Sequence, residues 1–323
     1  MFKPISMPDG RQTSSLGFGC ASLMNIPSSS ERTYILDLAY DHGITHFDTA
    51  RMYGLGHAEQ ELRPLLATKR SKITLATKFG LDNPLLFKKF SNRQSLLRSL
   101  IRRNKLTTRL AKKLYSHIAV SRTFSSEACQ ESLLHSLKSL NTDLVDILYM
   151  HDPLPSDQFD PSLPILFDSF KANGLIRYIG IAANPSSASY YINKYPSLFD
   201  AIQLGTSSPS LALTPHVTGV HSFFGHIRHL APILQSSFST APALCRLWSD
   251  RLSIDLTLKP NLAAVVLAAK QLVNPSSIHL FSTTKPGNLA HIMTCIQNSS
   301  WSDAELISFA RFLSTLSSKY AII

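Results

Sequence analysis

The stretch THFDTARMYGLGHAE, residues 45–59, puts an acid at the end of an apolar run and an aromatic hydroxyl five residues later. Ile44 to Asp48 has the composition of a short strand. Asp48 closes it, and Tyr53 stands in the following loop with Gly54 directly after it. Parallel sheets present their chemistry in this way, from groups at the C-terminal ends of strands and in the loops that leave them. Outward from this strand, a helix is predicted over 30–42, capped by Ser30 and ended by Gly43, and another over 58–66.

The β-then-α unit recurs along the chain. Strands are predicted at 16–20, 44–48, 72–78, 144–151, 177–183, 200–204, 219–223 and 278–283, with further helices at 125–140, 161–173, 188–195, 262–272 and 302–316. Eight such units predict a (β/α)8 TIM barrel, one domain over residues 1–323. A doubly wound sheet is the alternative, but no GxGxxG follows the first strand. The sixth unit is abbreviated: TSSPSLALTPHVT (206–218) holds two prolines and has no room for a full helix.

The chain is 44% hydrophobic, enough for a large core, and its longest apolar run, LAAVVLAA (262–269), is far too short to span a membrane. With no apolar core in MFKPISMPDGRQ, the expected location is the cytoplasm. Cys20, Cys129, Cys245 and Cys295 form no close pair, so no metal site is expected. The formal net charge of +11 has one source. Eleven Lys and Arg and no acid lie between Phe87 and Ser125, and the rest of the chain balances. This basic helical insert, about 86–125, follows strand three. Leu96, Leu97, Leu100, Ile101, Leu106, Leu110 and Leu114 give it an amphipathic face. It reads as a solvated helix on the barrel rim, a lid over the site, or a docking element for an anionic membrane or nucleic acid. No aromatic interleaving supports nucleic acid.

Polar groups recur at one end of the predicted barrel: Asp48, Lys78, His151, Asn184, Gln203, His221 with Ser222, and the run STTKP from Ser282. Together with LGFGCASLM (16–24), residues 43–66, ITLATK (73–78), LVDILYMHDP (144–153), IRYIGIAANP (176–185) and IHLFSTTKPGNL (278–289), they make the chain resemble an aldo-keto reductase over nearly its whole length. The resemblance implies hydride transfer between a nicotinamide cofactor, NADPH with NADH possible, and a small carbonyl or alcohol substrate, without a metal. It gives Tyr53 the role of general acid and base. A free tyrosine has a pKa of about 10, and the Lys78 cation is expected to lower it. Asp48 holds Lys78, and His151 donates to the substrate oxygen. Asn184 and Gln203 hold the carboxamide; His221, Ser222 and Gly225 cover the pyrophosphate; Ser282, Thr283, Thr284, Lys285 and Asn288 grip the adenosine phosphate.

The chain departs from that pattern in three places. His221 stands where an aromatic commonly stacks on the nicotinamide. Ala182 and Ala183 replace a serine before Asn184. No Arg follows STTKP, and His291 is the nearest basic group. Residues 151–161 and 224–259 are expected to line the substrate pocket, with Met52, Phe223, Phe224 and Trp248 as candidate apolar walls. The rival from another class is a cofactor-binding, redox-sensing partner subunit with little turnover.

Overall fold

The computed structural model describes residues 4–82, 121–205 and 220–320, with side chains to residue 316. Eight parallel strands close into a barrel: β1 (Leu16–Gly19), β2 (His46–Asp48), β3 (Thr74–Phe79), β4 (Val145–His151), β5 (Ile176–Ala183), β6 (Ala201–Gly205), β7 (Val220–Phe224) and β8 (Ser277–Phe281). Each pairs with its neighbours in chain order, and β8 returns to β1 through Leu280↔Gly17. The helices are α1 (Ser29–Asp41), α2 (Arg63–Lys69), α3 (Ser126–Leu140), α4 (Leu163–Ala172), α5 (Pro185–Lys194), α6 (His226–Thr240), α7 (Pro242–Arg251), α8 (Lys259–Val273), α9 (Pro286–Asn298) and α10 (Asp303–Tyr320).

Side-chain alternation sorts each strand into two cores. Ala76, Ile147, Tyr149, Ala182, Ala201, Val220, Ile278 and Leu280 fill the interior, together with Ile5 and Met7. Ile5 belongs to an antiparallel hairpin, Ile5–Ser6 with Gln12–Thr13. Phe18, Phe47, Leu75, Phe79, Leu148, Ile179 and Ile202 belong to the second core, shared with the helices. Leu230, Leu234, Phe238, Trp248 and Phe309 make a third cluster joining α6, α7, α8 and α10.

All eight predicted strands are present. Ser125 caps α3 by accepting from the Ala128 N–H at 3.2 Å. Helices α6 and α7 are additions to the sequence reading. The predicted helix over 58–66 is a 3₁₀ turn, Gln60–Leu62, leading into α2. Most of the basic insert and the short connection 206–218 lie outside the described residues. No described helix is long and apolar enough to cross a membrane.

Candidate active site

At the C-terminal end of the barrel, β2 and β3 hold a closed ion pair. Lys78 Nζ donates to Asp48 Oδ1 at 2.6 Å, to Oδ2 at 2.7 Å and to the Thr49 carbonyl at 2.9 Å. The pair is buried, Lys78 at 1% and Asp48 at 4% exposure. A third partner comes from across the barrel: Gln203 Nε2 donates to Asp48 Oδ1 at 2.8 Å. Tyr53 lies over this cluster, its ring centre 5.0 Å from Lys78 Nζ and 5.7 Å, edge-on, from the His151 ring.

The loop that brings Tyr53 inward turns left-handed. Gly54, Leu55 and Gly56 have φ of 60°, 60° and 91°. A Cβ on Gly54 would sit 2.1 Å from Met24 Cγ, so position 54 needs glycine for space as well as for its backbone angle. Leu55 holds an angle unfavourable for a branched side chain, a local strain that marks functional loops. Glu59, last residue of the quoted stretch, is buried beside β3 and accepts from Thr77 Oγ1 at 2.7 Å.

Burial decides the protonation states. It pushes the Tyr53 phenol above its usual value; Lys78 opposes the shift, and Asp48 adds to it. The expectation of a lowered value does not hold, because burial outweighs the pull of Lys78 and Asp48 adds to the rise. Burial would lower Lys78, but Asp48 and then Tyr53 outweigh it, so the ammonium is held. His151 is lowered to about 3 by burial, then by Lys78 and Arg122, and is a neutral imidazole. The cluster therefore presents a protonated phenol, a cation and a neutral imidazole.

These groups open on a cavity of about 820 Å³. Gly19, Met52, Leu81, Gly205, Leu280 and Phe281 give it largely apolar walls, and Asp48, Tyr53, His151, Asn184, Gln203, Gly225 and Ser282 also line it. Gln203 is buried at the mouth. Asn184 is exposed, and its amide caps α5, accepting from Ser187 N at 3.0 Å and Ser186 Oγ at 2.7 Å. Thr283, Thr284 and Lys285 form the turn into α9, and Asn288 lies in its first turn. His221 is not among the lining residues. The strand runs on through Phe224 to Gly225, so His221 sits low in β7, paired with Ile202 and Ser277, and Phe224 is the aromatic at the mouth. Ser222 points inside the barrel and donates to the Ile202 carbonyl at 3.4 Å.

Of the candidate walls, Met52 and Phe224 line the cavity. Phe223 stacks on His279 at 5.8 Å, and Trp248 packs between Phe309 and Phe312. His291 bonds Asn261, away from the mouth. Among the described residues, Arg228 and His229 line the mouth from the first turn of α6, which sequence reasoning missed because it placed no helix there. It also counted Arg122 with the basic insert. Arg122 instead donates to the Asp152 carbonyl and to its carboxylate at 3.3 Å, holding the residue after His151 at a φ of 49°.

The family model for the aldo/keto reductase family matches residues 15–207 of this chain. The chain belongs to the aldo/keto reductase family. The match holds Asp48, Tyr53, Lys78, His151, Asn184 and Gln203; the candidate cofactor residues from His221 to Asn288 lie beyond it. A D-threo-aldose 1-dehydrogenase of a Pseudomonas species is 30% identical over 195 residues, 58% of this chain and 55% of that protein. An aldo-keto reductase of Alternaria alternata is 28% identical over 160 residues, 46% of this chain and 39% of the relative. The chain thus spans about half the length, or less, of these curated relatives. Among solved structures, an aldo-keto reductase of Bacillus halodurans in its holo form aligns with a TM-score of 0.66 at 19% identity, over 98% of this chain and 96% of that one. The glycerol dehydrogenase of Gluconobacter oxydans aligns at 0.64 and 17%, over 98% and 95%. At those identities the likeness is one of fold, and it is the barrel described above.

Proposed function

We propose that this aldo/keto reductase family member is a nicotinamide-dependent oxidoreductase. It reduces an aldehyde or ketone, or oxidises the matching alcohol or sugar, with Tyr53 as general acid and base. One observation carries the reading: a buried Asp48–Lys78 pair and a neutral His151 converge on a protonated Tyr53 at the mouth of an apolar cavity. The aldose and glycerol dehydrogenases among its relatives favour a hydroxylated carbonyl or polyol as substrate.

The cavity suits such a cofactor. Gly19 and Gly205 leave its wall free of side chains, Gln203 offers amide chemistry at the barrel axis, and α6 begins next to Arg228 and His229 with no side-chain cap among the described residues. Gln203, Asn184, Gly225 and Ser282 to Lys285 with Asn288 would hold it; the Arg228 cation at the mouth favours NADPH. Bound there, the nicotinamide supplies or accepts hydride at the substrate carbon.

The chain's own residues manage the proton and the charge. As the carbonyl oxygen gains charge, Tyr53 delivers its hydroxyl proton. Lys78 stabilises the phenolate left behind, and Asp48 keeps that lysine charged and aimed. Neutral His151 donates a ring N–H to the same oxygen, orienting the substrate and stabilising the oxyanion. The apolar walls exclude water and strengthen each of these interactions. Tyr53→Phe is expected to lower turnover about 10²–10⁴-fold and leave cofactor binding intact. Unchanged turnover would remove Tyr53 from the chemistry.

A further inference from the structure

Gln203 makes a contact that cofactor binding alone does not require. Its strand, β6, stands four positions from β2 in either direction around the eight-stranded barrel, so the two strands are diametrically opposed. The side chain crosses the mouth to reach Asp48 Oδ1 at 2.8 Å, the same oxygen that takes Lys78 Nζ at 2.6 Å. Gln203 is 3% exposed and Asp48 4%, so water does not substitute for the bond. Below this contact the interior is packed with Tyr149, and Ser222, the residue paired with Gln203 in the β6–β7 register, is buried there too.

We propose that Gln203 is a positioning residue for the proton-donating cluster: a strap across the barrel axis that holds Asp48 on Lys78 and sets how much of the lysine's charge reaches Tyr53. The inference rests on the function proposed above. An amide N–H on a carboxylate draws off part of its negative charge without adding a cation. With the donor present, Asp48 neutralises Lys78 less completely, and the ammonium keeps more of its field for the phenol 5.0 Å away. Without it, Asp48 turns its full negative charge on Lys78, which it already contacts through both oxygens, and also bears harder on Tyr53, whose acidity it already opposes. Both changes make Tyr53 a weaker acid. The amide has a second N–H and a carbonyl oxygen, so the strap is compatible with a cofactor contact by the same residue.

The test uses Gln203→Met, which keeps the volume and removes the donor, and Gln203→Glu, which keeps the shape and replaces the amide by a carboxyl group. Tyr53 ionisation is read without cofactor, as the ultraviolet tyrosinate titration of each protein minus that of its Tyr53→Phe counterpart, over about pH 9–12 with the fold followed by circular dichroism. The midpoint is expected to rise by about half a pH unit or more in Gln203→Met, and further in Gln203→Glu. In an Asp48→Asn background Gln203→Met is expected to move nothing, since the strap acts through the carboxylate. An unmoved midpoint in both variants, with weaker cofactor binding or a lower Tm as the only change, overturns the proposal. Because this titration needs no cofactor, it stands apart from the functional reading, which falls if the wild-type protein turns over no carbonyl or alcohol.

Discussion

A phenol buried beside an ammonium answers to two opposed effects, and here burial is the larger. Tyr53 stays protonated through the neutral range and His151 is uncharged down to about pH 3. Neither should limit carbonyl reduction at intermediate pH. The rate of reduction is expected to be flat from about pH 6 to 9 and to fall only as Tyr53 ionises above its usual value of about 10. Alcohol oxidation needs the deprotonated phenol, so its rate should climb across the same interval. A reduction profile with a midpoint near 7 would contradict this assignment. Lys78→Met is expected to cost turnover as heavily as the loss of the phenol, since it strands Asp48 as an unpaired buried charge beside Tyr53. A turnover near wild type would show that the phenol needs no neighbouring cation. Asp48, Tyr53, Lys78 and His151 were legible in the sequence because each ends or follows a strand. The direction of the Tyr53 shift was not, because burial and the closeness of Asp48 to Lys78 are properties of the fold.

At the scale of elements, close approaches decide what the barrel tolerates. A Cβ at Gly180 would lie 2.5 Å from the Tyr149 ring and 2.9 Å from the Ala201 carbonyl, the second being backbone that cannot rotate away. Gly180→Ala is expected to cost about 1–3 kcal/mol, measured as a lower midpoint in urea; an unchanged midpoint would mean that the β5–β6 contact relaxes freely. The eight strands were readable from apolar runs bounded by turn residues. Helix α6 was not: its segment carries Pro232 and a serine-rich end, and its helicity rests on burying Leu230, Leu234 and Phe238 against α8 and α10. Missing that helix hid Arg228 and His229. Ending β7 one residue early put His221 at the mouth in place of Phe224.

For the whole molecule, stability depends on groups far from the mouth. Asp146 is fully buried on β4 and meets three arginines, Arg11 at 2.7 Å, Arg70 at 3.0 Å and Arg177 at 3.1 Å, and it also accepts from Leu75 N. The arginines are partly exposed, so Asp146→Asn is expected to cost about 3 kcal/mol, the low end for a broken buried pair. Buried histidines set the pH dependence. Burial holds His46 and His279 at about 4 and lowers His226 well below its usual value, His226 and His279 lying 3.0 Å apart in one hydrogen-bonded chain. An unfolded histidine takes up its proton near pH 6.5, so between about 6.5 and 4 the unfolded chain binds more protons than the folded one. Stability is therefore full above pH 6.5 and falls as pH drops toward 4, by about 1.4 kcal/mol per unit for each such histidine. Urea unfolding at pH 7 and pH 5 checks this, and equal stabilities would show the histidines to be hydrated. The most direct measurement is fluorescence titration of the purified protein with NADPH and, separately, NADH. Saturable binding is expected, tighter for NADPH because of the Arg228 cation at the cavity mouth. Failure of both to bind would contradict a nicotinamide-dependent oxidoreductase, whatever the geometry around Tyr53.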